Sequence, residues 1–271
     1  MNATTSRDDS LDHRSDPNFL AYYEEASLSD ATAQRFRTIR DKSLALLAAR
    51  GRSTAQLRVA DIGCGAGTQS LLWAELGHSV FGLDVSAPLI DVAQRRAVEH
   101  ALVIDFKVGT ATALPLEDGS VDVCLLPELL EHVPEWKTCL HEAVRVVDSG
   151  GLLYLSTTNT LCPVQSEFNL PWYGWYPGFA KRYFERLAVT TRPQLANYAT
   201  YPAVNWFNIY GLRDYLAPFG FDCFDRFDMI DVDRVRAPLR VFVNMARALA
   251  PLRFIGHVLT PGTAVFAVKT K

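Results

Sequence analysis

The chain has 271 residues, 49% hydrophobic and 21% charged, with a formal net charge of −3. That balance supplies a full core and excludes both a low-complexity chain and a general nucleic-acid binder. Five cysteines without a Cys-x-x-Cys pair, no apolar signal core and no run of 18 apolar residues point to a cytoplasmic protein with neither a secretion signal nor a membrane span. The charge is uneven: residues 1–177 sum to −9 and residues 178–271 to +6. A solvated face is the preferred reading of that asymmetry, and a basic face toward an anionic substrate or surface is the other.

Residues 1–17 are polar and are expected to form a disordered tail. Residues 18–54 read as an N-terminal helical segment. After Phe19, Tyr22 and Tyr23, either Ser29 or Asp30 caps a helix to about residue 50, with Phe36, Ile39, Leu44 and Leu47 on its buried side. That helix is expected either to lie over a ligand cleft or simply to pack on a sheet.

Residues 55–159 alternate apolar runs with helical periods, which calls for a parallel sheet covered on both faces. Residues 57–62 are a buried strand ending at the cluster Gly63-Cys64-Gly65-Ala66-Gly67. Residues 68–76 are a helix with Leu71, Leu72 and Leu76 on one face and Gly77 as its stop, and residues 80–83 are a second strand ending at Asp84. Ser86 caps a third helix to about residue 100, with Leu89, Ile90, Val92 and Ala93 facing inward. Residues 103–108 are a third strand and residues 109–115 a loop. A fourth strand at 121–126 is followed by Pro127-Glu128-Leu129-Leu130-Glu131-His132-Val133-Pro134. A helix over 136–147, a turn at Gly150-Gly151 and a fifth strand at 152–157 complete the second half.

Residues 160–210 break this rhythm. Of the chain's 30 aromatic residues, 13 fall within 168–210, among them Trp172, Trp175, Phe179, Tyr183 and Trp206, with Lys181, Arg182, Arg186 and Arg192 interleaved. A connection this long reads as a cap of short helices on the substrate side, with a small aromatic core of its own accounting for most of these rings. Residues 211–271 return to the core, with a helix at 211–218 stopped by Gly220, a strand at 221–229 and a closing strand at 263–268, antiparallel to its neighbours. Residues 238–250 are loosely amphipathic. Core packing is the preferred explanation and a membrane-surface helix the minor one.

The chemistry is expected around the first glycine turn. Glycines at 63, 65 and 67 permit positive φ and let a ligand press on the backbone. Asp84 lies 21 residues after Gly63, the spacing of an acid that accepts both ribose hydroxyls of a nucleoside. A dinucleotide motif wants Gly or Ala where Thr68 stands, and Asp61 inside the first strand suits a cationic ligand better than a pyrophosphate.

The stretch Asp61-Ile62-Gly63-Cys64-Gly65-Ala66-Gly67 resembles the first motif of class I S-adenosylmethionine-dependent methyltransferases, acid-x-Gly-x-Gly-x-Gly. The resemblance implies an α/β, Rossmann-like fold. Its seven-stranded, mostly parallel sheet has helices on both faces, and the aromatic-rich insertion follows strand 5. It implies S-adenosyl-L-methionine as cofactor and S-adenosyl-L-homocysteine as product. The implied cofactor contacts are Asp61, Gly63, Cys64, Gly65, Gly67, Asp84, Val85, Thr110, Ala111 and Pro127. Thr110 stands where related enzymes often carry an Asp for the adenine amino group. Glu-Leu-Leu-Glu-His-Val-Pro, residues 128–134, is similar to the ubiquinone-biosynthesis O-methyltransferase branch. That branch implies a Mg²⁺ site at Glu128, Glu131 and His132 and methylation of a catechol-like hydroxyl on a lipophilic ring. In many related enzymes the histidine only caps or packs. From the residues themselves, His132 is a candidate general base, with Glu131 its catalytic partner.

The expected function is O-methylation of a small or lipidic acceptor. N- or C-methylation is the nearest alternative, and a catalytically inactive cofactor-binding scaffold is an alternative of another class. A small-molecule or lipidic substrate is expected, with peripheral membrane contact admitted and no nucleic acid. The oligomeric state stays open.

Overall fold

Apolar runs four to six residues long and bounded by glycine or acid have too few polar positions to face water, so they must lie inside a sheet covered on both sides. A computed structural model describes residues 29–165, 167–196 and 203–270. The expected tail at 1–17 and the aromatics at 19–23 lie outside the described residues. The elements are α1 Asp30–Ala49, β1 Arg58–Ile62, α2 Thr68–Ala74, β2 Ser79–Asp84, α3 Ala87–Glu99, β3 Asp105–Val108, β4 Val121–Pro127, α4 Trp136–Val146 and β5 Val147–Thr158. They continue with α5 Gly178–Thr190, α6 Ile209–Leu216, β6 Phe221–Asp225, α7 Ala237–Ala248, α8 Ala250–Val258 and β7 Gly262–Lys269.

The seven strands form one sheet in the order β3-β2-β1-β4-β5-β7-β6. Strands β1 to β5 pair in parallel, and β7 runs antiparallel between β5 and β6. The chain order reverses direction between β1 and β4, and ligands of such sheets bind beyond the carboxyl ends of the strands at that switch. One apolar layer, including Ile62, Leu126, Leu140 and Leu155, packs on one face. A second, including Leu47, Trp73, Leu125 and Tyr154, packs on the other.

Several boundaries depart from expectation for local reasons. Helix α2 stops at Ala74, and Leu76, expected on its buried face, is half exposed. Strand β5 begins at Val147: the expected turn at Gly150-Gly151 is a bulge inside the strand, because pairing jumps from Val121–Val147 to Val123–Leu152. Strand β6 ends at Asp225, where the carboxyl accepts from Phe227 N (2.8 Å) and turns the chain well short of residue 229. Helix α1 begins at Asp30 with Ser29 as its cap, Ser29 Oγ accepting from Thr32 N (3.2 Å). Of the side chains expected inside, Ile39 and Leu47 are buried, while Phe36 and Leu44 are partly buried against the second layer.

The insertion is built around Phe168, Tyr173 and Ala188. Phe168 stacks on Tyr173 with ring centroids 4.3 Å apart, and Lys181 is buried with its Nζ 4.1 Å from the Trp206 ring centroid and bonded to Gly174 O (3.0 Å). Burial lowers the Lys181 pKa. The aromatic excess read from the sequence thus divides into this small core and a set of exposed rings.

Candidate functional site

Three left-handed residues in five make the turn after β1: Gly63, Gly65 and Gly67 have φ of 74°, 51° and 79°. The turn is tied to β2 by Gly63 N and Cys64 N, which both donate to Leu83 O (2.7 and 3.1 Å). A Cβ on Gly63 would sit 2.9 Å from Leu129 Cδ1, and one on Gly67 would sit 2.8 Å from Ala93 Cβ. The missing side chain at 63 therefore lets the segment after β4 approach the turn, and the one at 67 lets α3 do so.

Asp61 is 1% exposed; its carboxylate accepts from Ser70 Oγ (2.6 Å) and Gln69 Nε2 (3.2 Å), holding the first turn of α2 behind the loop. Burial pushes its pKa up to about 6, against the hydrogen bonds from Ser70 and Gln69. Asp84, at the end of β2, accepts from Gly65 N (2.8 Å) on one oxygen and from Ser86 N (2.9 Å) on the other. Burial raises its pKa, opposed by those backbone N–H groups. Each oxygen of Asp84 retains lone-pair capacity after these bonds, so the carboxylate fits a diol presented at the turn.

Around this acid, Val85 is 52% exposed beside the cleft, Ala111 is buried, and Pro127 is half-buried at the end of β4. The Thr110 hydroxyl lies 2.8 Å from Thr112 Oγ1 and accepts from Thr112 N (3.2 Å), so it serves its own turn first. Cys64 is buried and its thiol pKa is pushed well up by burial and by Asp61 and Asp84, which leaves it unreactive. Signals for two further supports were too weak to read in advance. Arg96, 9% exposed on α3, donates to Ala66 O (3.1 Å), and Gly109 N donates to Asp84 O (2.9 Å).

The second half of the site is the segment after β4. Glu128 has a left-handed backbone, φ 51°, and its side chain pairs with Arg35 of α1. A non-glycine residue held in that conformation is strain that surrounding structure must maintain, as at ligand-contacting positions. Glu131 is 2% exposed, and its Oε2 has no hydrogen-bond partner among the described residues. Burial, helped by the charges of Glu128 and Glu167, pushes its pKa up to about 8, while Thr157 opposes the shift. His132 is exposed on the same segment, among enough neighbouring atoms to be partly desolvated. Burial lowers its pKa and Glu128 opposes the change.

Among the described residues no three His, Cys, Asp or Glu side chains are gathered to hold a metal ion. The Mg²⁺ set expected at Glu128, Glu131 and His132 therefore does not form: Glu128 is engaged with Arg35, while Glu131 is buried beneath the segment on which His132 is exposed. Sequence reading missed the partners that arrive from a distance. Arg35 comes from α1, Thr157 from β5 and Glu167 from the insertion. Asn205 donates its side-chain amide to Leu130 O (3.0 Å) and Val133 O (2.6 Å). The backbone N–H groups of Val204 and Asn205 both donate to Glu131 O (2.8 and 3.0 Å), so the return of the insertion is stitched to the site loop.

Residues 60–155 match the family model described as a methyltransferase domain. A ubiquinone biosynthesis O-methyltransferase of Chelativorans sp. (strain BNC1) is 35% identical over 122 residues, 43% of this chain and 48% of that protein. The chain thus spans about half the length of the curated relatives it matches. An S-adenosylmethionine-dependent methyltransferase from Mesorhizobium loti superposes with a TM-score of 0.53 at 17% identity, covering 84% of this chain and 98% of that one. Phosphoethanolamine N-methyltransferase 2 of Haemonchus contortus, solved in complex with S-adenosyl-L-methionine, superposes with a TM-score of 0.51 at 16% identity, covering 93% and 60%. Residues 60–155 thus resemble a methyltransferase domain in sequence, and the seven-stranded sheet has the Rossmann-like fold of these solved structures.

Proposed function

We propose that the chain is an S-adenosylmethionine-dependent methyltransferase acting on a hydroxyl of a small or lipidic acceptor. The observation that carries this reading is the Asp84 carboxylate clamped to Gly65 N and Ser86 N at the mouth of a triple-glycine turn inside the span that resembles a methyltransferase domain. When bound, S-adenosylmethionine supplies a methyl carbon already activated by its sulfonium. Asp84 would hold the ribose hydroxyls, Val85 and Ala111 would flank the adenine, and Gly63 to Gly67 would leave room for the nucleoside against bare backbone.

His132 has the protonation state and access for a general base. Its lowered pKa keeps the imidazole neutral, and its exposed ring faces the solvent from which an acceptor arrives. Glu131 keeps its proton below about pH 8, which suits it to donating a hydrogen bond that orients the acceptor. The hydroxyl acceptor rests on the likeness of residues 128–134 to the ubiquinone-biosynthesis branch and on the O-methyltransferase relatives. A second reading, transfer to an amine, is favoured by one observation: the charge of Glu128 helps to raise the pKa of both Glu131 and Glu167, a field that a cationic amine would relieve.

The test is calorimetric titration of the cofactor and its demethylated product, followed by mass spectrometry of material methylated from labelled cofactor. Asp84→Ala is expected to weaken cofactor binding about 10–100-fold, the worth of lost hydrogen bonds to a charged group. Unchanged affinity in that variant, or no heat with the native chain, overturns the assignment. A labelled ether confirms the hydroxyl reading, and a labelled amine replaces it with the second.

A further inference from the structure

The link between β6 and β7 consists of two helices whose apolar residues point the wrong way for a core. In α7 only Val243 and Ala246 are buried, and in α8 only Gly256 and His257. Val241 (58% exposed), Met245 (45%), Leu249 (48%), Phe254 (45%), Ile255 (48%) and Leu259 (73%) face solvent. Scattered exposed apolar side chains are ordinary, but six within one short hairpin form a patch.

The hairpin is nonetheless firmly anchored, and by its polar groups. Asp225, 1% exposed, accepts from Arg253 Nε (2.6 Å), and its carboxylate lies 2.8 Å from His257 Nε2. Arg247 donates to the carbonyls of Phe227, Asp228 and Ile230. Anchoring by polar side chains while most apolar side chains stay exposed departs from the usual arrangement of a surface helix.

A second exposed apolar group adjoins the first. Trp172 (63%), Trp175 (57%), Phe179 (72%) and Tyr183 (57%) project from the insertion. Trp175 Nε1 donates to Leu161 O (3.0 Å), while Asn159 Nδ2 donates to His257 O (2.8 Å) and Thr260 O (2.7 Å). Both groups thus stand on residues 159–161, directly beyond β5, at the carboxyl end of the sheet where the cleft opens.

The two helices carry only basic charge; the nearest exposed acids, Asp231 and Asp233, stand on the turn that leads into α7, where Asp231 is paired with Arg234. Neither α7 nor α8 contains an acidic residue. Arg236 and Arg240, with Arg182 and Arg186 on the insertion, are exposed and in no ion pair among the described residues. A second copy meeting this face across a two-fold axis would set arginine against arginine. Apolar side chains penetrating beside tryptophans, with arginines at their margin, match a bilayer surface carrying anionic headgroups.

We propose that this composite face docks the protein on an anionic lipid bilayer, with the mouth of the cleft turned toward the membrane. The purpose of that orientation, presenting a lipidic acceptor, rests on the methyltransferase reading; the docking itself does not.

Co-sedimentation of the full chain with phosphatidylcholine vesicles, with and without phosphatidylglycerol, tests the proposal. Binding to the anionic vesicles is expected, weakened by salt. Each of two double variants, Ile255→Asp with Leu259→Asp and Arg236→Glu with Arg240→Glu, should lower it about tenfold or more. A thermal shift with the demethylated cofactor reports folding and the cofactor site separately, so its failure counts against the methyltransferase reading alone. Absence of vesicle binding, equal binding to both vesicle types, or binding unmoved by either variant overturns the proposal. So does a dimer in sedimentation velocity that the apolar variant dissolves while vesicle binding is absent.

Discussion

Glu131 shows how a single side chain carries information that its neighbours in sequence do not. Its ordinary pKa of 4.5 rises to about 8 because the carboxyl is removed from water and faces Glu128 and Glu167. The folded chain therefore keeps a proton that the unfolded chain has released, and stability falls as pH rises between those two values. Glu131→Gln holds a neutral group of the same size at every pH. Relative to the native chain, the variant should gain up to about 1.4 kcal/mol per pH unit across that window. Denaturant melts of both proteins at pH 5 and pH 8.5 measure the gap, and parallel pH profiles would show that Glu131 is not held protonated. The residue type and its place after β4 were legible in the sequence, but its burial was not. Thr157 and Glu167 reach it only through the sheet and the insertion. Asp61 makes the same point: the motif marked it as a ligand contact, but its bonds to Ser70 and Gln69 behind the loop were not legible.

At the scale of elements, the glycine turn couples α2, α3 and β3. Gly67 has φ 79°, and a Cβ there would lie 2.8 Å from Ala93 Cβ and 3.0 Å from Phe106 Cζ. Gly77 has nearly the same φ, 81°, with nothing within 4 Å of an added Cβ. Gly67→Ala should cost about 2–4 kcal/mol, combining left-handed backbone strain with overpacking, and Gly77→Ala about 1–2 kcal/mol from the backbone alone. Urea denaturation of the two variants separates crowding from conformation, and equal losses would mean that α3 does not press on the turn. Most elements were legible because their signals are local: a serine cap at 29, apolar runs ended by glycine, and an acid at the end of β2. The boundaries that moved depend on pairing across the sheet. A bulge absorbs Gly150-Gly151 because β4 supplies the partners, and an Asp225 side chain ends β6 by capturing its own backbone.

For the molecule as a whole, the question is how an insertion of some fifty residues acts on a site built by the first half of the chain. Its small aromatic core is separate from the two layers on the sheet, and apolar packing ties the insertion to the first layer only where the chain returns, at Phe207 and Ile209. The tie to the site loop itself is polar. Asn205 Nδ2 holds Leu130 O and Val133 O, and two backbone N–H groups beside it hold Glu131 O. Removing the amide in Asn205→Ala leaves two partly buried carbonyls unpaired, a cost of about 1–3 kcal/mol concentrated at the loop that bears Glu131 and His132. Because the glycine turn and Asp84 lie on the other wall, cofactor affinity should hold within about twofold, while methyl transfer falls and amide exchange quickens over residues 129–134 and 203–207. Hydrogen exchange read beside cofactor titration makes the distinction. Faster exchange with unchanged cofactor binding places the insertion in control of the acceptor side. Unchanged exchange would mean that the loop stands without it, and the aromatic subdomain would then have to influence the reaction by some route other than Asn205.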